Sequence, residues 1–238
     1  MKALLSVFDK TGLVGFGNQL SAGSYDLVST GGTSRELKNA GVPVMQVSEL
    51  TGFPEILEGR VKTLHPFIHG GILARRDLPD QMDQLTRHKI ETIDIVVANL
   101  YPFLETVSRP GVTLEDALEN IDIGGPTMIR AAAKNFESVL VLVDPKDYEW
   151  VGERLILGIA ITLEERRNLA AKAFQHVAYY DSAIFGWFSQ DSSILNSPYF
   201  TPGLEKVDDL RYGENPHQRG AVYADSLGTG GIIRAEQF

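Results

Sequence analysis

Arg60, Lys62, Thr63, His65 and His69 all fall within the stretch Gly59–Gly71. Glycines bracket this stretch and Pro66 interrupts it. Glycine loosens the backbone and proline removes a donor, so the stretch reads as a loop. A loop this rich in donors faces an anion, unless it is only a solvated connector. A second candidate is Thr30-Gly31-Gly32-Thr33. Placed at a helix start, these residues can cradle a phosphate: glycines allow close approach, N–H groups point outward and the helix dipole favours negative charge. The bland alternative is an ordinary capped turn. Lys10, Arg60 and Thr63 could complete such a cradle.

A third set could move protons. Asp122 lies between Ile121 and Ile123, and Lys134 follows Ala131-Ala132-Ala133. Lys62 and Tyr101 are likewise attached to apolar elements. Titratable groups in such settings are either tuned for proton transfer or paired at the surface. His65, His69 and His88 make no convincing metal site, because Pro66 separates the first two and no carboxylate is near in sequence. His176, in mid-helix, reads as structural.

The elements that must position these groups alternate. Strands are expected at Ala3–Phe8, Tyr25–Ser29, Val42–Val47, Ile93–Leu100 and Val139–Val143, the fourth buried on both faces. Leu13, Phe16 and Leu20 have helical spacing. Thr33 with Glu36 predicts a capping box opening a helix that ends at Gly41. Further helices are expected over Pro79–His88, Leu114–Glu119 and Thr127–Lys134. Thr162 and Glu165 cap a long last helix with Leu169, Ala173, Val177, Tyr180, Ile184 and Trp187 on one stripe. The alternation predicts an α/β layered fold with a parallel sheet flanked by helices. In such a sheet ligands collect beyond the carboxyl ends of the strands. Asp9-Lys10-Thr11, Thr30–Thr33 and Asn99-Leu100-Tyr101 all follow such ends. From Ser189 the chain reads as a linker, and residues 189–238 look like the truncated beginning of a second α/β domain.

The chain of 238 residues is 43% hydrophobic, enough for a sizeable core, and its net charge is −9. That charge argues against general nucleic-acid binding and confines any anion site to a local basic pocket. With no cysteine there are no disulfides or thiolate nucleophiles. No apolar run approaches the ~20 residues of a membrane span and no signal peptide is evident, so a cytoplasmic location is expected.

Seven strings, in order, carry a resemblance. They are Ser6–Leu13, Ser29–Thr33, Gly59–Pro66, Asn99–Phe103, Ile121–Gly125, Arg130–Asn135 and Arg211–Gln218. Together they resemble the N-terminal part of the bifunctional purine-biosynthesis family that joins AICAR formyltransferase to IMP cyclohydrolase. The resemblance covers essentially the whole chain. It implies a methylglyoxal-synthase-like fold for residues 1–188 and dehydrative closure of formyl-AICAR ribotide (FAICAR) to IMP, with no cofactor for that step. It implies substrate contacts from Phe8, Asp9 and Lys10; Thr30, Gly31, Gly32 and Thr33; Arg60, Val61, Lys62 and Thr63; Ala98 and Asn99; and Asp122 and Ile123. It places proton transfer on Lys134, with Lys62, Asp122 and Tyr101 as the other catalytic residues. Phe8 departs from the pattern, since some members carry serine there; its contact would then be main-chain at most. Arg211 and Tyr212 would be remnants of an AICAR site. The family's formyltransferase pair, and with it 10-formyltetrahydrofolate as co-substrate, belongs beyond residue 238, so formylation is not expected of these residues. A homodimer is implied, with no nucleic-acid or membrane partner. Two other readings share the cradle: a methylglyoxal-synthase-like lyase and a non-catalytic nucleotide-binding regulatory module.

Overall fold

The computed structural model describes residues 1–189 and 198–225. The elements are β1 (Lys2–Ser6), α1 (Leu13–Ala22), β2 (Asp26–Ser29), α2 (Gly31–Asn39), β3 (Met45–Gln46), α3 (Val47–Thr51), α4 (Pro66–Leu73), α5 (Pro79–Arg87), β4 (Ile95–Ala98), α6 (Phe103–Val107), α7 (Leu114–Glu119), α8 (Gly124–Lys134), β5 (Leu140–Leu142), α9 (Tyr148–Ile156), α10 (Leu163–Phe188), β6 (Leu204–Leu210) and β7 (Gly220–Asp225). They group into two compact units. The first holds Met1–Tyr101 and Asp122–Val177; the second holds Pro102–Ile121 and the chain from Ala178.

The first unit is built on a five-stranded sheet of order β3-β2-β1-β4-β5, and every pairing is parallel. Alternate residues of its strands serve two faces. Ala3, Leu5, Ile95, Val97, Leu140 and Leu142 pack with Leu13, Phe16 and Leu20 of α1 and Val151 of α9 in one core cluster. Leu4, Val28, Val96 and Val141, the intervening positions, are equally buried. Burial on both faces explains the near-continuous apolar runs in sequence. Phe16, 1% exposed, stacks on Tyr148 with ring centroids 4.7 Å apart. Truncating a ring so enclosed costs about 3–5 kcal/mol. The strand order reverses between β1 and β4. That reversal opens a crevice beyond their carboxyl ends.

The expected parallel sheet is present, with local differences. The third strand shrinks from Val42–Val47 to Met45–Gln46. Pro43 cannot donate to a ladder, and Val47 is already the first residue of α3. The helix expected to start at Thr33 begins at Gly31, with Thr30 as its N-cap and no capping box. Pro66 does not break a loop. It is the first residue of α4, where its missing N–H costs nothing, and His65 caps that helix by accepting the Phe67 N–H at 3.1 Å. The helix expected from Thr127 begins at Gly124. α6 and α9 have no counterpart in the sequence reading. α7 has the expected bounds, and Thr162 and Glu165 form the expected cap, with the Thr162 N–H on Glu165 Oε2 at 2.9 Å and the Glu165 N–H on Thr162 Oγ1 at 3.2 Å.

In the second unit Phe103 is buried, edge-on to Tyr180 and Trp187 with centroids 6.3 and 6.0 Å away. The Tyr180 hydroxyl donates to the Asn120 carbonyl at 3.2 Å. β6 and β7 form an antiparallel ribbon. The linker expected from Ser189 lies mostly outside the described residues. No helix among the described residues is long and apolar enough to cross a membrane.

Candidate active site

Three chain segments meet at the carboxyl ends of β1 and β4. Asn99, 8% exposed, follows β4. Its Oδ1 accepts the N–H groups of Phe8 at 2.6 Å and Asp9 at 2.9 Å, and its Nδ2 donates to the Asp9 carbonyl at 3.1 Å. Asn99 therefore staples the loop after β1 and has little left to give a ligand. Ala98 is fully buried in β4 and can offer no more than backbone. Asp9 turns its carboxylate back on Thr11, whose hydroxyl and N–H, the latter at 2.9 Å, hold its pKa below the ordinary value.

Lys10 leaves this loop toward α2. Its Nζ lies 3.8 Å from the point where a Cβ of Gly32 would stand. The first N–H groups of a helix have no carbonyl within it to bond. Gly31, Gly32 and Thr33 are the first residues of α2, so their N–H groups and the Lys10 ammonium converge. The Thr33 side chain does not join them. It is 3% exposed and its hydroxyl accepts from Val7 N at 3.0 Å and donates to Val7 O at 2.9 Å. The Thr33 hydroxyl is thus committed to β1, which removes the expected capping box and leaves its N–H to the cradle. Thr30 lies 3.1 Å from Ser6, hydroxyl to hydroxyl.

The basic loop closes the other side. Ile56 and Val61 bridge across a tight turn, with Leu57, Glu58 and Gly59 all at positive φ. For leucine and glutamate that conformation is strained. Arg60 is exposed beyond this turn. Lys62 lines one cleft with Ser29, Thr30, Gly31 and Glu55. Its charge also acts on the carboxyl of Asp122. Lys62 is thus the residue common to the cradle and the acid. Thr63, 2% exposed, is pinned beneath the loop. Its hydroxyl lies 2.7 Å from the Cβ position of Gly124. Burial pushes the pKa of the nearby His69 down, against the pull of the Thr63 carbonyl.

Asp122 precedes α8. Its Oδ1 accepts the Gly125 N–H at 2.8 Å, and a further bond comes from Gly124. A Cβ on Gly125 would stand 2.5 Å from Asp122 Oδ2 and 2.7 Å from Leu100 Cδ2, so only glycine allows this approach. Burial is the largest influence on Asp122 and raises its pKa, while Gly125, Lys62 and Gly124 pull it down; the net shift is upward. Ile123 is 58% exposed. Tyr101, also exposed, stands beside Phe8 with ring centroids 5.5 Å apart.

Lys134 stands apart. It is the last residue of α8, whose first is Gly124. That helix carries the chain from the carboxyl end of β4 back to the amino end of β5. At 1.5 Å per residue, about 15 Å of axis separates Lys134 from the turn that holds Asp122. One chain does not bring the two together.

Residues 132–238 match the family described as AICARFT/IMPCHase bienzyme, and residues 12–127 match the MGS-like domain. The Bifunctional purine biosynthesis protein purH of Dictyostelium discoideum is 50% identical over 262 residues, covering 99% of this chain and 48% of that protein. PurH of Thermoanaerobacter sp. (strain X514) is 54% identical over 238 residues, covering 100% of this chain and 47% of that protein. The chain belongs to the AICARFT/IMPCHase bienzyme family. It spans about half the length of these PurH relatives. A solved structure titled "Crystal structure of ForH" superposes with a TM-score of 0.71 at 36% identity, covering 81% of this chain and 99% of that one. The first unit supplies every site residue above. Glu55 and Ser6 are not site candidates in the sequence, because neither carries a local signal, while His69 reads there as a donor of the basic loop and a weak metal ligand.

Proposed function

We propose that the first unit closes FAICAR to IMP, as the IMP cyclohydrolase part of a PurH-like protein. The observation that carries this reading is the position of Lys62, between the helix-start cradle and the buried Asp122. The cradle of Lys10, Gly31, Gly32 and Thr33 holds the phosphate through N–H groups and charge, with Arg60 and Thr63 nearby. Fixing the phosphate and ring makes the reaction intramolecular, and orientation supplies much of the rate.

In the ring closure the carboxamide nitrogen attacks the formyl carbon. A C–N bond forms, the carboxamide nitrogen gives up a proton and the formyl oxygen takes one up to become a hydroxyl. Its C–O bond then breaks as a second proton makes it water, and loss of the former formamide N–H proton leaves the C=N bond of the ring. The nitrogen is a poor nucleophile and needs a base; the oxygen needs donors as charge develops. Asp122, partly desolvated, accepts. The Lys62 ammonium donates to the oxygen. Tyr101 holds the ring or donates. Val61, Asp9 and Ile123 line the approach, and Ala98 and Asn99 hold it in shape. Metal or redox chemistry has no role in these steps.

Lys134 enters this reading through a second copy. A homodimer that pairs α8 with its counterpart in the opposite direction would bring Lys134 of one chain to Asp122 of the other. We further propose a cytoplasmic enzyme. In this reading the chain after residue 188 opens the AICAR formyltransferase domain, which uses 10-formyltetrahydrofolate. Arg211 and Tyr212 sit there in the turn between β6 and β7, closed by Gly213 N–H on the Gln218 carbonyl at 2.8 Å.

Incubating the purified chain with FAICAR and following IMP by ultraviolet absorbance tests the reading. Release of methylglyoxal from a triose phosphate would instead support the lyase. Binding of IMP without turnover would support a regulatory module.

A further inference from the structure

The sheet reverses order between β1 and β4, and two aromatic rings stand at that point. Each follows a buried aliphatic residue. Val7 is 6% exposed and Phe8 46%; Leu100 is 8% exposed and Tyr101 42%. The two backbones thus turn an aliphatic side chain inward and a ring outward. The rings touch, with centroids 5.5 Å apart and planes inclined by 60°. A solvent-facing aromatic pair at a ligand crevice is unexpected as packing, because each residue forgoes nearly half of its burial.

The backbone of Phe8 is already engaged. Its N–H donates to Asn99 at 2.6 Å, and its carbonyl accepts from Lys10 Nζ at 3.3 Å. What Phe8 presents outward is therefore its ring. That ring has a charged neighbour, since Lys10 Nζ lies 6.0 Å from its centroid. The same ammonium reaches the first turn of α2. An anion bound there stands beside Lys10, and whatever is attached to it extends past Phe8 and Tyr101.

We propose that the Phe8 ring, with Tyr101, is the stacking wall for the planar heterocycle of the nucleotide, and so sets preference for a base-bearing phosphate over a bare sugar phosphate. The inference rests on the nucleotide-binding reading above. It replaces the main-chain contact expected for Phe8 with a side-chain one. Every planar base offers a π-face, so such a wall selects for the presence of a ring and not for its hydrogen-bonding edge.

The experiment compares IMP with ribose 5-phosphate as probes, by calorimetry, on the full 238-residue chain and on Phe8→Ser, Phe8→Leu and Phe8→Tyr. Phe8 is half-exposed, so these variants keep the fold, and thermal unfolding checks that they do. Base-on-aromatic stacking predicts that Phe8→Ser and Phe8→Leu weaken IMP binding by roughly fivefold to tenfold or more. Phe8→Tyr keeps it, and ribose 5-phosphate binding stays the same throughout. An unchanged IMP affinity in Phe8→Ser overturns the stacking wall and leaves the nucleotide reading intact. Equal losses for both probes overturn it too, by making Phe8 a prop for the phosphate site. If the unaltered chain binds ribose 5-phosphate but not IMP, the nucleotide reading itself falls, and the wall with it.

Discussion

Asp122 accepts the Gly125 N–H at 2.8 Å, which seats a half-buried carboxylate on the N-terminus of α8. Burial outweighs the helix N–H groups and Lys62, so the carboxyl titrates above its ordinary value of 3.8. A raised folded pKa means that the folded chain holds this proton more tightly than the unfolded one. Stability therefore falls as pH rises from about 3.8 through the folded value, and the deficit persists at neutral pH. Asp122→Asn removes the charge and keeps an acceptor for Gly125. The variant is expected to be more stable than the parent at pH 7, with the difference vanishing in acid. Turnover should fall by roughly a hundredfold or more, the usual loss for a general base. Urea unfolding at both pH values and the FAICAR assay check both halves. A variant less stable at pH 7, or one with full turnover, contradicts the assignment.

Arg60 stands beyond the strained turn of Leu57 to Gly59. A charge-assisted contact to phosphate contributes about 1.5–3 kcal/mol. Arg60→Ala is expected to weaken IMP binding by roughly ten- to a hundredfold. Calorimetric titration reads this directly, and an unchanged affinity would move the phosphate away from this loop.

Lys134 and Asp122 belong to opposite ends of one helix. If Lys134 serves a second copy, then Lys134→Ala and Asp122→Asn, each nearly inactive alone, should regain activity when mixed as unfolded chains and refolded together. Each mixed dimer then contains one site with both residues intact. Failure to recover activity, with dimers confirmed by sedimentation, would remove Lys134 from the composite site. Lys134→Arg separates charge from proton transfer, because arginine keeps its proton at working pH. Near-normal turnover at saturating substrate would make Lys134 electrostatic only.

Asn99 joins residues ninety positions apart by three hydrogen bonds. Asn99→Ala leaves the Phe8 and Asp9 N–H groups without that acceptor. The expected loss is about 1–3 kcal/mol of stability, with weaker IMP binding as the β1 loop loosens. Urea denaturation gives the first quantity. A variant as stable as the parent would show that water replaces the amide without cost.

Much of the candidate site is legible in the sequence alone. Lys62, Asp122, Thr30 to Gly32, Lys10 and Tyr101 were singled out by residue type and by their place after strands, and the fold gathers them at one end of the sheet. The signals that work are local ones: short apolar runs for strands, period-3.6 apolar spacing for helices, and the box of Thr162 with Glu165. Such features depend on a few neighbouring residues, so a sequence states them directly.

The tertiary structure decided which polar groups remained for a ligand. The Thr33 hydroxyl looked like a cap or a phosphate donor, yet it is spent on Val7 because β1 and α2 lie side by side. Asn99 looked like a ligand contact and is a staple. Lys134 looked adjacent to Asp122 along the chain, and α8 puts its full length between them. A hydroxyl, amide or imidazole bonds to whatever packing brings within about 3 Å. Sequence fixes which groups exist and the element that carries each; only packing fixes the partner that each one meets.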